Sequence, residues 1–145
     1  MRPRANTLGI VLRDRYVLLE EQNRKHSQGT GPNYRPIGGT IELGEKSSEA
    51  LVREFKEEIN ADIEIDQYLA CLENIFKLDD QIGHEITQLY AVSFKDERLY
   101  EKELFIVSEQ GKETTAKWID LEDVWRDSFV VYPTGLKDEI KKLIK

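Results

Sequence analysis

The stretch Gly38-Gly39-Thr40-Ile41-Glu42-Leu43-Gly44-Glu45, followed by Lys46-Ser47-Ser48-Glu49-Ala50-Leu51-Val52-Arg53-Glu54-Phe55-Lys56-Glu57-Glu58-Ile59-Asn60-Ala61, constrains this chain more than any other. It reads as a glycine-punctuated strand and loop that feed a helix. At about 100° per residue, with Glu54 set at zero, Glu57 falls near about −60° and Glu58 near about +40°, while Leu51, Phe55, Ile59 and Val52 fall between about +60° and +160°. One side of the helix is acidic and the neighbouring side apolar. Ser47 or Ser48 can cap the start, where orphan N–H groups need an acceptor. Asn60 can close the end, because Asn tolerates the left-handed conformation. Acids at i, i+3 and i+4 repel one another by roughly a few tenths of a kcal/mol per pair unless something neutralises them, and a divalent cation would do so. The plain alternative for a bare Glu-x-x-Glu-Glu is a solvated acidic face.

The wider spacing favours the cation. Gly39, five residues, Glu45, seven residues, Arg53-Glu54, an apolar residue, any residue, then Glu57-Glu58 resembles the Nudix box, G-x5-E-x7-R-E-U-x-E-E-x-G-U with U a bulky apolar residue. Every fixed position up to Glu58 matches, which over a span of about twenty residues is a specific signal. The chain departs at Asn60, where the pattern has glycine, and at Ala61, where a larger aliphatic residue is usual. Asn keeps the helix-stop chemistry, and Ala61 touches only a packing position.

The resemblance, to the Nudix hydrolases and their MutT-like members, implies an α/β chain with the Nudix fold, a mixed β-sheet in an α/β/α sandwich, with residues 1–145 as a single domain. It also implies hydrolysis of a phosphoanhydride bond in a nucleoside diphosphate-linked compound, such as a nucleoside triphosphate or ADP-ribose, by water attack on phosphorus. Such a reaction needs cations on the phosphate oxygens and a base for the water's proton. Mg²⁺ or Mn²⁺ suits carboxylate and carbonyl oxygens. By the resemblance, Glu57 and Glu58 are the principal metal ligands, Glu54 is a further ligand or the general base, and a backbone carbonyl at Gly38 or Gly39 adds another. Arg53 and Glu45 form an ion pair holding the loop on the helix, and Arg53 at i−4 helps to orient Glu57. An acid outside the box completes the cluster or acts as base in some members, and Glu85 is the candidate here, with a solvated or hydrogen-bonded strand residue as its alternative. Crowded carboxylates titrate together, so the choice of base stays open. The rival reading is a non-catalytic Nudix module that binds a nucleotide as a sensor. Loss of box acids would favour it, and none is lost.

Elsewhere, Ala5 to Leu12 and Tyr16 to Glu20 read as strands around an Arg13-Asp14-Arg15 hairpin. Glu21 to Asn33 is polar and reads as a surface loop leading into the box. Arg24, Lys25, His26 and Arg35 are candidates for gripping a phosphate or a base, each with a solvated loop residue as its alternative. Ile63 to Ile65 and Leu69 to Phe76 read as strands, and Phe76 to His84 as a hairpin whose Asp79-Asp80 is turn chemistry. Residues 95–112 give no firm assignment. Thr115 to Ile119 reads as a final strand and residues 120–124 as a loop or helical turn, with Trp118 a sheet aromatic. Leu136 to Ile144 reads as a terminal helix packing opposite the box helix. Cys71, the single cysteine, sits in an apolar run and is expected in the core.

At 145 residues the chain can bury about two-thirds of its unfolded surface. Lys and Arg total 21 against 28 Asp and Glu, a net charge of −7, which argues against nucleic-acid or membrane partners. No apolar run approaches the roughly 20 residues of a membrane span, and no signal-peptide core is seen, so the expected location is cytoplasmic. The expected partner is a small-molecule nucleotide, and a homodimer is compatible with the resemblance. No SQPWPFP-like segment of the kind associated with NADH is present, and the substrate stays unassigned.

Overall fold

The computed structural model describes residues 2–23, 29 and 31–144. Its first apolar run is not one strand. β1 (Arg4–Ile10) and β2 (Leu12–Arg13) part at Val11, and only β2 turns back onto β3 (Tyr16–Asn23), pairing Leu12 with Val17 and Arg13 with Tyr16. The expected hairpin is therefore short. Its tip uses Asp14 at φ 53°, a left-handed conformation that a short polar side chain tolerates. The described ends of the polar stretch after Glu20 are strands, because β3 runs on to Asn23 and pairs from Glu20 to Asn23 with β4 (Pro32–Arg35). Arg24, Lys25 and His26 lie outside the described residues.

β1 instead occupies the centre of a mixed sheet, antiparallel to β5 (Ile37–Thr40) and parallel to β7 (Gln81–Phe94), with β6 (Ile63–Leu78) at the far edge. A second sheet has the order β2-β3-β9-β8, with β8 (Leu104–Glu109), β9 (Lys112–Asp120) and β4 beside β3. Residues 95–112, which carried no firm assignment, form a 3₁₀ turn (Glu97–Glu101) and β8. The two runs expected on either side of residue 66 are the single strand β6, with register shifts between Ile65 and Gln67 and between Tyr68 and Ala70. Each bulge adds a residue and resets the inward and outward alternation, which is why the pattern looked interrupted. Cys71 follows the second bulge on this edge strand and is exposed, a correction to its expected place in the core.

Three helices complete the layers: α1 (Ser47–Ile59), α2 (Leu121–Val124) and α3 (Leu136–Leu143). Leu51, Phe55 and Ile59 of α1 pack with Val92, Phe94, Phe105 and Trp118 on one side of the sheets. Leu136 and Ile140 of α3 pack with Leu8, Ile10, Leu19 and Leu89 on the other. The result is the α/β/α sandwich, with β1 and β7 contributing side chains to both faces as buried strands do. Trp118 is buried, and its indole N–H donates to the Lys102 carbonyl at 2.8 Å. Among the described residues no helix is long and apolar enough to cross a membrane.

Candidate active site

α1 is placed by its ends and by one glycine. Its N-cap is Lys46, whose N–H donates to the Glu49 carboxylate at 2.9 Å. Neither serine caps it; Ser47 sits one residue too late and shares a 2.5 Å hydrogen bond with the Tyr90 hydroxyl. At the other end Asn60 takes φ 54°, ψ 43°, so Asn does here what glycine does in the box pattern. Gly9 on β1 lets the helix lie close, since a Cβ there would stand 2.8 Å from the Phe55 ring. Leu51, Phe55 and Ile59 face inward as expected, whereas Val52, at the margin of the apolar arc, is exposed.

This packing turns the acidic side of α1 toward β5 and the β8–β9 turn. The hollow between them, about 560 Å³, is lined by Gly39, Arg53, Glu54, Glu58, Glu109 and Arg35 among others. Carboxylate oxygens of Glu54, Glu58 and Glu109 all lie within 4.8 Å of one another. Gly39 lets Glu54 keep its place, since a Cβ there would stand 2.4 Å from the carboxylate and push it aside. Glu58 is only 4% exposed, and neither of its oxygens has a hydrogen-bond partner. Its burial, and then the neighbouring acids Glu54, Glu109 and Glu20, push its carboxyl far above the ordinary range.

Arg53 is the hub that holds the loop and helix together. It grips Glu45 in bidentate fashion at 2.7 and 2.9 Å, reaches Glu54 at 2.9 Å and Glu57 at 3.1 Å, and donates to the Thr40 carbonyl at 3.1 Å. The pair expected between Glu45 and Arg53 is thus present. Their hydrogen bonds hold the Glu45 carboxyl down at about 2 and raise the Arg53 guanidinium.

The other expected residues divide between two places. Glu57 lines the same hollow but is 59% exposed and bound to Arg53, outside the converging three. Gly38 lies in β5 opposite Leu8 and precedes Gly39 at the hollow; a Cβ there would strike the Thr7 carbonyl and Leu8. Glu85 does not join the cluster. It pairs with Arg4 at 3.5 Å and lines a separate, neighbouring cavity, because its strand lies on the far side of β1 from β5. The third acid is Glu109, which the sequence reading missed: it closes β8 just before the Gln110-Gly111 turn, inside the stretch that gave no periodic signal. A candidate turn acid followed by Gln-Gly was the one available clue.

Arg35 faces inward. It contacts the buried Glu20 at 3.3 Å and Glu109 at 3.3 Å, while Thr114 donates to Glu20 at 2.5 Å. Burial acts to lower its affinity for the proton, but Glu20, Glu109 and Glu58 outweigh this, and the guanidinium is held more firmly charged than usual. This arginine is occupied in holding carboxylates, where the sequence suggested a grip on phosphate or base.

The chemistry of the donor set fits a hard divalent cation: oxygen ligands only, crowded enough to repel, with buried oxygens that no protein donor satisfies. An α/β/α layer that holds such a cluster between an acidic helix and a glycine-bearing strand defines the class. The chain belongs to the NUDIX family of hydrolases, whose domain model matches residues 2–138; its members typically hydrolyse nucleoside diphosphate derivatives. Among solved structures, a MutT NUDIX hydrolase from Burkholderia pseudomallei is 18% identical with a TM-score of 0.71, covering 99% of both chains. An ADP-ribose pyrophosphatase from Streptococcus suis is 14% identical with a TM-score of 0.61, covering 99% of this chain and 93% of its own. A NUDIX-family hydrolase from Clostridium perfringens is 17% identical with a TM-score of 0.61 over 100% of both chains. At these identities the likeness carries the fold alone. No curated protein matches the chain.

Proposed function

We propose that this protein hydrolyses a phosphoanhydride bond in a nucleoside diphosphate-linked compound, using Mg²⁺ or Mn²⁺ held by Glu54, Glu58 and Glu109. The observation that carries the reading is the convergence of three carboxylates within 4.8 Å around the unpartnered, buried oxygens of Glu58. A buried carboxylate persists when it is paired or coordinates a metal, and among the described residues no arginine bonds Glu58. When bound, such an ion supplies Lewis-acid polarisation of phosphate oxygens.

The chain's own residues do the rest. Arg53 fixes Glu54 and Glu57 against the loop, so both acids meet the substrate in set positions. Glu57, exposed at the rim, or Glu54 takes a proton from the attacking water. The water oxygen bonds to phosphorus as the bridging P–O bond breaks, and the electron pair leaves with the departing phosphate. The carboxylic acid then returns its proton to solvent or to the product. Arg35, tied to Glu20, keeps Glu109 at the cluster.

The test is release of the two hydrolysis products, separated by chromatography, from a panel of nucleoside triphosphates, ADP-ribose and nucleoside diphosphate sugars (nucleoside monophosphate with pyrophosphate, or nucleoside monophosphate with a sugar phosphate), with and without Mg²⁺, in the native chain and in Glu58→Gln. Metal-dependent release that Glu58→Gln abolishes is the expected result. Turnover by Glu58→Gln at the native rate, or tight nucleotide binding with no release across the panel, would overturn it, the latter in favour of a sensor.

A further inference from the structure

The β6–β7 hairpin outruns the sheet it belongs to. β1 begins at Arg4, opposite Glu85, so the hairpin from Ile75 to His84 projects past the strand that flanks the rest of β7. β6 is also the edge of that sheet, and among the described residues it has no strand partner besides β7. Its two register shifts lie between Ile65 and Ala70; from Ala70 to Leu78 every residue pairs in unbroken order. This half of the edge is therefore regular, and a regular edge presents unpaired N–H and C=O groups as a template for another strand.

Side chains alternate between the two faces of the arm. One face carries Glu73, Ile75 and Lys77, all exposed, with Ile82 across the hairpin from Lys77. Ile75 is 70% exposed and Ile82 63%, two large aliphatic side chains left in water on a projecting element. The other face carries Leu72, Asn74, Phe76 and Leu78, all partly buried.

About Ile75, the stretch from Leu72 to Leu78 is complementary to itself. Laid antiparallel against a second copy with Ile75 opposite the partner's Ile75, Glu73 falls opposite the partner's Lys77 and Lys77 opposite the partner's Glu73. On the other face Leu72 meets the partner's Leu78. Opposite charges across an antiparallel pair attract, and like charges repel. Centred on Asn74 instead, Glu73 would face Ile75 and Lys77 would face Cys71; centred on Phe76, Glu73 would face Asp79; centred on Glu73, it would face itself. Charged side chains commonly guard a sheet edge against pairing. Here they oppose or ignore the neighbouring registers and favour one.

We propose that the protein forms a twofold dimer by antiparallel pairing of β6 with β6 of a second copy, in the register that sets Ile75 against its counterpart and joins the two mixed sheets into one. The contact is isologous, as a twofold interface must be, because the same strand supplies both sides. The paired stretch is short, so the dimer dissociates on dilution. This pairing is independent of the proposed hydrolysis, since neither Glu73 nor Lys77 lines the acidic hollow or the cavity beside it.

The test is sedimentation velocity of the full chain over a dilution series. The native chain should pass from dimer to monomer as it is diluted. Glu73→Lys and Lys77→Glu each set like charges opposite one another twice, and each should weaken the dimer about tenfold or more. Both side chains are exposed, so the variants keep the fold. An equal mixture of the two variants should pair at about the native affinity, because each chain then meets the opposite charge, a rescue that a merely destabilised fold would not show. A native chain that stays monomeric at the highest concentration, a dimer indifferent to both reversals, or a mixture no tighter than either variant alone would overturn the assignment.

Discussion

The two adjoining spaces of this molecule are built on opposite principles. In the acidic hollow, like charges crowd together and the buried oxygens of Glu58 go unanswered. In the neighbouring cavity three carboxamides are buried, two of them, Asn6 and Asn33, bonded within the protein, and the charged groups are paired. Crowded charge is costly unless a ligand completes it, so the first space is suited to strong binding of a cation. Neutral amides and paired charges cost less, so the second does not call for an ion. Arg4 and Arg35 mark the border.

Four substitutions break or sharpen this contrast. Glu58→Gln should have the largest effect, a loss of about 10³-fold in metal-dependent turnover, because the contribution of a catalytic ion is several kcal/mol. The same change replaces a buried carboxyl that must stay protonated when no ion is bound, so by thermal denaturation in chelator at pH 8 the variant should be at least as stable as the native chain. Lower stability would mean that the hollow is not strained without its ion. Arg35→Met should cost about 3 kcal/mol in urea unfolding, since it leaves the buried Glu20 without its cation; Glu20→Gln on the same background should recover most of it. Gly39→Ala pushes against a Glu54 carboxylate that Arg53 holds from the other side. It should weaken metal affinity by about tenfold, measured by Mn²⁺ titration, with a smaller change in Tm.

Glu45→Gln should have the smallest effect, confined to acid. The Glu45 carboxyl is held at about 2, below its ordinary 4.5, by hydrogen bonds from Arg53. A carboxyl depressed in the folded state stabilises the fold above its unfolded value and loses that contribution as pH falls through the folded one. Between pH 4.5 and about 2 the native chain should therefore lose stability more steeply than Glu45→Gln. Parallel acid limbs in a pH series of melting curves would show that the pair contributes nothing there.

The helix was legible because its signals are local. The 3.6-residue period placed Leu51, Phe55 and Ile59 inward, and Asn60 stopped the helix as its chemistry suggests. The cap was misread: Glu49 reaches back to the N–H of Lys46, a bond that needs no Ser or Thr at the N-cap. What the sequence could not reveal depends on partners distant along the chain. Whether β1 and β2 belong together is decided by which strands they join, and the run from Ala5 to Leu12 carries no mark at Val11. Bulges in β6 erased the alternation that would have shown one long strand and the exposed Cys71. Glu109 and Glu85 had equal claims by residue type, and only the placement of β8 against α1 and of β7 beyond β1 separates them.

The parallel pairing of β1 with β7 also governs how the molecule comes into being. Asn6 and Thr87, hydrogen-bonded across that pair, are 81 residues apart along the chain. Ordering so long a loop precedes any reward from the contact, and chains dominated by such separations fold slowly. The local hairpins β2–β3 and β6–β7 can form early, while the central strand waits for a partner made much later. Glu109 arrives later still, with β8. On the ribosome, therefore, the acidic helix emerges long before the strand that brings the third carboxylate, and the three-acid cluster is completed only in the last stage of folding.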